Sequence, residues 1–375
     1  LAVLLQAVRG EAEPTDVMAP YLSALNGLDE EALTLVAEAT RDLEAELPFL
    51  PHGSLAADWA YLCKTIAADL GTAPQGALQR MAAIRDSLLR QGGARMVTVG
   101  AETALQRLQP AIAALLEPLS AGAASPAQRD TTPLVWSRLQ QRGVDTSQRL
   151  FVGLVIPGMQ GGVVQLNTDL VSYENTEPDQ LIDLLTAQSF GGRGGHSLFM
   201  RTWGAGLAYG NGVSASAGSG RLRYYAERSP SVVETLTFVT DELRKAKPDP
   251  SLVDYAITQN FWSYAADSFE SRGLAMANAL VDGKGPDKVS DFRKALLQLR
   301  GKEALHNQIN SRLEPVLGKV LPGYGPELSA TEETVLFVIG TDKDLTEFET
   351  WLQKVEAPET VLQRIYPRDY WKVRG

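Results

Sequence analysis

The sequence predicts an α+β fold: an antiparallel sheet flanked by helices, built as two homologous domains with the first truncated at its N-terminus. Three observations predict it. Strand-like and helix-like segments are mixed along the chain rather than strictly alternating, which favours helices packed on an antiparallel sheet. Residues 206–227 read as a β-hairpin. A strand–Gly–helix pattern also occurs twice, with Gly100 and Gly340 at equivalent places 240 residues apart.

Residues 1–120 read as mainly helical. Ala32, Leu33, Val36 and Ala37 recur at helical spacing behind the acidic start Asp29-Glu30-Glu31, and Leu78, Met81, Ile84, Leu88 and Leu89 repeat the pattern. Arg95 to Val99 reads as a strand, and Gly100 turns it into a helix with Leu105, Leu108, Ile112 and Leu115 on one face. Residues 121–133 are rich in Ala, Ser, Pro and Thr and read as a linker.

A complete α+β domain is expected over 134–357, with 358–375 as a C-terminal tail. Leu150–Ile156 and Gly162–Leu170 read as strands joined by a turn at Pro157-Gly158. Pro178 starts a helix through Leu181, Leu184 and Leu185. Ser229-Pro230 caps another, with Val232, Leu236, Val239 and Leu243 as its apolar face. Pro250 to Ala279 reads as one long helix whose Phe261, Trp262, Tyr264 and Phe269 are core anchors, and Ser271-Arg272-Gly273 as a break. Thr334–Ile339 is a late strand, followed by a helix through Leu345, Phe348 and Leu352.

In the repeat, Val97–Leu105 lines up with Phe337–Leu345: strand, Gly, an acidic residue in the first helical turn, then Leu. The sheet-forming front of the first copy is missing, so the chain reads as one and a half units. It begins with Leu rather than Met, which reads as a fragment or processed product.

The 375 residues carry 35 Lys and Arg against 45 Asp and Glu, a formal charge of −10. That balance argues against nucleic acid or an anionic membrane as partner. No apolar run reaches the roughly 18 residues of a membrane helix. The lone Cys63 reads as a structural thiol among Leu62, Ile66 and Ala67. The compartment is unassigned, with a soluble protein of the cytoplasm or an organelle favoured over a secreted one.

The histidines, His52, His196 and His306, fit no metal motif, so no cofactor is expected on this chain. Gly195-His196-Ser197-Leu198-Phe199 has Phe where a nucleophile elbow needs a small residue, and Ser197 reads as an N-cap. Gly191-Gly192-Arg193-Gly194-Gly195 lacks the spacing and the Gly-Lys-Ser/Thr ending of phosphate loops. Its bare backbone suits contact with an extended peptide. Tyr209, Tyr224 and Tyr225 lie close in sequence to Arg201, Arg221 and Arg223, as cross-strand pairs on a half-exposed sheet or as a peptide-binding wall.

The glycine pair Gly191-Gly192, Leu198-Phe199 on a helix, an Arg, the Gly206-Leu207-Ala208-Tyr209 run and the passage Tyr225–Pro230 into a helix keep a recognisable order. In this, residues 134–355 resemble the C-terminal, non-catalytic half of pitrilysin/insulinase-type zinc metallopeptidases, presequence-protease-like. The resemblance implies a clamshell of two halves. The chain would be the metal-free C-terminal half of a zinc metalloendopeptidase, part of a hydrolase without a catalytic zinc of its own. Zinc is expected on the partner half or subunit, and unfolded or extended peptides are the expected ligands. It implies substrate binding by Arg201, Tyr209, Gly191, Gly192, Gly194 and Gly195. In presequence-protease spacing the family's Arg position falls on Trp203, while Arg201 stands eight residues before Tyr209. The other reading is a non-enzymatic recognition or scaffold subunit, resembling the alpha subunit of mitochondrial processing peptidase.

Overall fold

A computed structural model describes residues 2–47, 60, 62–64, 66–68, 71, 73–90, 96–119, 134–145, 149–156, 159–262, 268–281, 283–325 and 335–365. The expected linker, the Pro157-Gly158 turn and Tyr264 lie outside them.

The first third is helical: α1 (Ala2–Val8), α2 (Ala19–Ser23), α3 (Glu30–Glu46), α4 (Pro74–Leu88) and α5 (Glu102–Leu116). Asp29 caps α3 by accepting from the Ala32 amide at 2.8 Å, as Asp does at an exposed helix start. Gln6 of α1 donates to Glu44 of α3 at 3.0 Å. The apolar residues of α4 that mark its period, Leu78, Met81, Ile84 and Leu88, all face solvent, as do Leu108 and Leu115 of α5.

The expected strand at 95–99 is not formed in its described part, 96–99, which is irregular and exposed. Its counterpart at the 240-residue offset is β5 (Val335–Gly340), a strand with a neighbour on each side. Residues 96–99 have no strand beside them among the described residues, and an isolated β-segment leaves its backbone groups unpaired. The helix that follows forms in both places: α5 here, and α15 (Asp342–Val355) behind β5.

The remainder is organised by a six-stranded sheet in the order β3-β4-β2-β5-β1-β6. Its other strands are β1 (Leu150–Val155), β2 (Gly162–Asp169), β3 (Gly210–Ser216), β4 (Arg221–Ser229) and β6 (Leu362–Ile365). β3 and β4 form the expected hairpin, in the register Gly212 with Tyr225 and Val213 with Tyr224. The β2–β4 and β2–β5 pairs are antiparallel, but β1 runs parallel to both β5 and β6. The sheet is thus mixed. β5 reaches β6 across α15, and a helical crossover returns the chain in the same direction. β6 also places four residues of the expected tail in the sheet.

Strand alternation separates two faces. One carries Phe151, Val164, Leu166, Val213, Leu222, Tyr224, Leu336 and Val338. It is buried beneath α15 and α9 (Val232–Arg244), which contribute Leu345, Phe348 and Leu352, and Leu236, Val239 and Leu243. α9 is capped by Ser231, which accepts from the Glu234 amide at 3.2 Å. Ser229, the expected cap, stands two residues before the observed one and instead bonds Thr235 within the core. The cap of α15 is a reciprocal box: Thr341 Oγ1 accepts from the Asp344 amide, and Asp344 Oδ2 from the Thr341 amide at 3.0 Å.

The other face carries Gln165 and Asn167 of β2, Arg223 and Tyr225 of β4, and Phe337 and Ile339 of β5, all half-buried. At its β1–β6 end it is covered by α6 (Leu134–Gln141) through Trp136 and Leu139. A second core joins α7 (Pro178–Ser189), α10 (Pro250–Trp262), α12 (Pro286–Leu299) and α13 (Leu305–Ser311), with Leu184, Leu185, Phe292 and Leu296 at its centre.

The expected helix 250–279 is two, α10 and α11 (Phe269–Val281), with a bend at Ser268 before the second. Ser271-Arg272-Gly273 lies inside α11 rather than breaking it, and Phe269 is 89% exposed rather than a core anchor. Phe261 is half-buried. Two further helices complete the chain, α8 (Leu198–Gly204) and α14 (Leu313–Leu317).

Candidate functional site

The Gly191–Gly195 loop leaves the C-terminus of α7 and enters α8. Its first glycines are demanded by packing. A Cβ on Gly191 would come 3.0 Å from the Val213 carbonyl of edge strand β3, and one on Gly192 would lie 2.1 Å from the Tyr255 hydroxyl. Gly192 also has φ +74°, a conformation that favours glycine. Tyr255 of α10 donates to the Gly191 carbonyl at 3.1 Å, and the Gly191 amide donates to Gln188. Gly194 is crowded by the His196 ring, whereas a Cβ on Gly195 would meet nothing within 4 Å. Gly191 and Gly192 therefore dock the loop against β3 and α10.

Ser197 caps α8 as expected, accepting from the Met200 amide at 3.3 Å. His196, just before it, packs edge-on to Tyr255 with ring centroids 4.5 Å apart. Its Nε2 is buried without a hydrogen-bond partner. Burial lowers its pKa below the usual histidine value, reinforced by the Arg201 charge and opposed by Asp249.

A cavity of about 400 Å³ opens where the loop, β3 and the less covered sheet face meet. Gly191, Gly192 and Arg193 form one wall, Phe199 and Tyr225 another, and Gln259 and Asn260 of α10 a third. Gln188 donates to the Ala215 carbonyl at 3.0 Å and to Asn260 Oδ1 at 3.1 Å. This occupies a backbone acceptor of edge strand β3. A second cavity, about 340 Å³, lies between α11 and α12 around Met276, Leu280 and Leu297.

Arg201 and Tyr209 have different neighbours. Arg201 Nη1 donates to Glu242 of α9 at 2.9 Å. Tyr209 is 69% exposed at the entrance to β3, with the Arg228 guanidinium 5.2 Å over its ring. Arg228 has φ +52°, uncommon for a non-glycine residue, opposite the irregularity between Gly162 and Val164. Trp203, on α8, is 54% exposed. The Tyr–Arg group of β4 is also divided. Tyr225 and Arg223 face the cavity side, while Tyr224 is fully buried on the other and its phenol is pushed well above the usual range by desolvation.

Tyr255 and Gln188, which shape this site, had no local signal as such: Tyr255 stands 64 residues from the glycine it holds. Among the described residues, no group of three or more His, Cys, Asp or Glu could hold a metal ion. Cys63 is half-buried, and burial raises its thiol pKa.

No family model and no curated protein matches the chain. Among solved structures it is similar to a peptidase M16 inactive domain from Pseudomonas fluorescens, at 15% identity and TM-score 0.40, over 70% of this chain and 52% of that one. It is similar to a protease from Helicobacter pylori at 12% identity and TM-score 0.43, over 64% and 53% of the two chains. The same holds for an insulinase-family protease from Yersinia pestis, at 13% identity and TM-score 0.39, over 67% and 53%. The chain spans about half the length of these three. At TM-scores below 0.5 such similarity says nothing of activity.

Proposed function

We propose that the chain is the metal-free half of a zinc metalloendopeptidase and holds an extended peptide across its sheet for a zinc site on another half or subunit. The observation that carries this reading is the cavity bounded by the glycine loop, Phe199, β3 and Tyr225, beside a half-buried sheet face. Polar walls with a few aromatic side chains suit a backbone ligand. The sequence has no His-x-x-Glu-His. Tyr209 stands exposed at the end of this face, where its hydroxyl is free to bond a substrate carbonyl.

Trans-complementation tests it. The chain alone leaves an unfolded peptide intact. Addition to a zinc-bearing half raises the cleavage rate, and Tyr209→Phe lowers that rate without unfolding the chain. A rate indifferent to the added chain refutes the reading.

The second reading, a recognition or scaffold subunit, is favoured by one observation: Arg201 is held by Glu242, and exposed Trp203 occupies the place the family gives to Arg. It predicts peptide binding that needs no zinc-bearing partner and supports no cleavage.

A further inference from the structure

Two guanidinium groups at this cavity have no carboxylate partner: Arg193 lines it, and Arg223 is stacked on Tyr225, which lines it. Arg193 lies 5.3 Å over the Phe199 ring, and Arg223 4.8 Å over the Tyr225 ring. Neither makes an ion pair or hydrogen bond among the described residues, and the Arg223 Nε–H is buried without an acceptor. The two stacks meet around Gly212, where a Cβ would touch Phe199 Cβ at 3.9 Å and Tyr225 Cε1 at 3.7 Å. They thus flank one strip of backbone in edge strand β3.

Several other arginines of the sheet domain are answered by carboxylates: Arg149 by Glu356, Arg201 by Glu242, Arg312 by Asp179 and Asp183, and Arg364 by Glu349, whereas Arg228 is stacked on Tyr209. Even Arg221, next but one to Arg223, is paired with Asp169. The nearest carboxylate along β4 on the same face is Glu227, opposite Gly210 at the Tyr209 end. A guanidinium stacked on a ring keeps its in-plane N–H groups free, and that fork matches a carboxylate.

We propose that this cavity binds a carboxylate of the peptide ligand, either its C-terminal carboxylate or an Asp or Glu side chain. Arg193 is the exposed recognition group, and Arg223 the second cation. The inference rests on the peptide-binding reading above and adds a specificity to it. A basic targeting peptide would meet two unanswered cations here and is disfavoured.

The test uses the purified chain and three labelled peptides sharing one neutral sequence: the free acid, the C-terminal amide, and the amide with one internal Glu. Affinities are read by fluorescence anisotropy at low and raised salt. The free acid or the Glu peptide binds about tenfold tighter than the plain amide, and salt narrows the gap. Which of the two gains identifies the source of the carboxylate. Arg193→Gln removes the preference, and Arg193→Lys restores part of it by charge without the planar fork. Equal binding of all three peptides overturns the carboxylate assignment alone. A preference that survives both Arg193→Gln and Arg223→Gln overturns it too. Binding of none overturns the peptide reading and this inference together.

Discussion

Arg201 of α8 is tied to Glu242 of α9, with 2.9 Å between guanidinium and carboxylate. Lys245 reaches the same carboxylate at 3.1 Å, and the two cations hold Glu242 below the usual carboxylate range, Lys245 contributing most. Arg201 therefore links two helices.

Arg201→Ala is expected to leave peptide affinity unchanged and to cost up to about 1 kcal/mol of stability, as half-exposed ion pairs do. Chemical denaturation beside a binding titration checks both. An affinity loss without a stability loss would return Arg201 to the binding site.

The glycine loop makes a contrasting pair. Gly192→Ala forces a Cβ against the Tyr255 hydroxyl at positive φ and is expected to destabilise the chain by about 1–3 kcal/mol. Tyr255→Phe in the same chain removes the clashing oxygen and recovers part of that loss. Gly195→Ala meets nothing within 4 Å and stays within about 0.5 kcal/mol of wild type. Thermal unfolding of the four proteins decides this.

His196 gives a pH dependence with a definite sign. Its folded pKa is lowered, chiefly by burial, so the unfolded chain binds the extra proton first. The contribution is fully present above the unfolded histidine value of about 6.5 and is lost as pH falls from there through the folded value. His196→Gln is expected to flatten that limb of the stability curve. A wild-type slope unchanged by the substitution would remove His196 as its origin.

Tyr324 predicts the alkaline limb. Burial raises its phenol to about 12, so its contribution holds below the unfolded value of about 10 and fades as pH rises from there through the folded one. Tyr324→Phe should reduce the alkaline loss, read as the change in denaturation midpoint with pH.

Much of this architecture is legible in the residues. The apolar run 150–155, alternation in 162–169, the Gly-rich turn between β3 and β4, Pro178 at a helix start and Ser197 as a cap each have a local cause, and each forms. The same alternation places Tyr224 and Tyr225 on opposite faces, so the Tyr–Arg group could have been split from the sequence by strand period alone. Other features depend on what lies beside a segment. Residues 96–99 have strand composition but no strand partner among the described residues, while β5, of similar pattern, lies between β1 and β2. The direction of β1 is set by crossovers, which no local pattern encodes. The Tyr255–Gly191 bond and the Arg201–Glu242 brace link residues distant in the chain, beyond any motif.

The most direct test is hydrogen exchange of the chain with and without a saturating unfolded peptide. Slower exchange confined to 191–195, 210–216 and 221–227 is the expected result, because a ligand lying over the cavity shields these backbones. No protection there, or protection only around the apolar cavity between α11 and α12, would contradict peptide binding across the sheet.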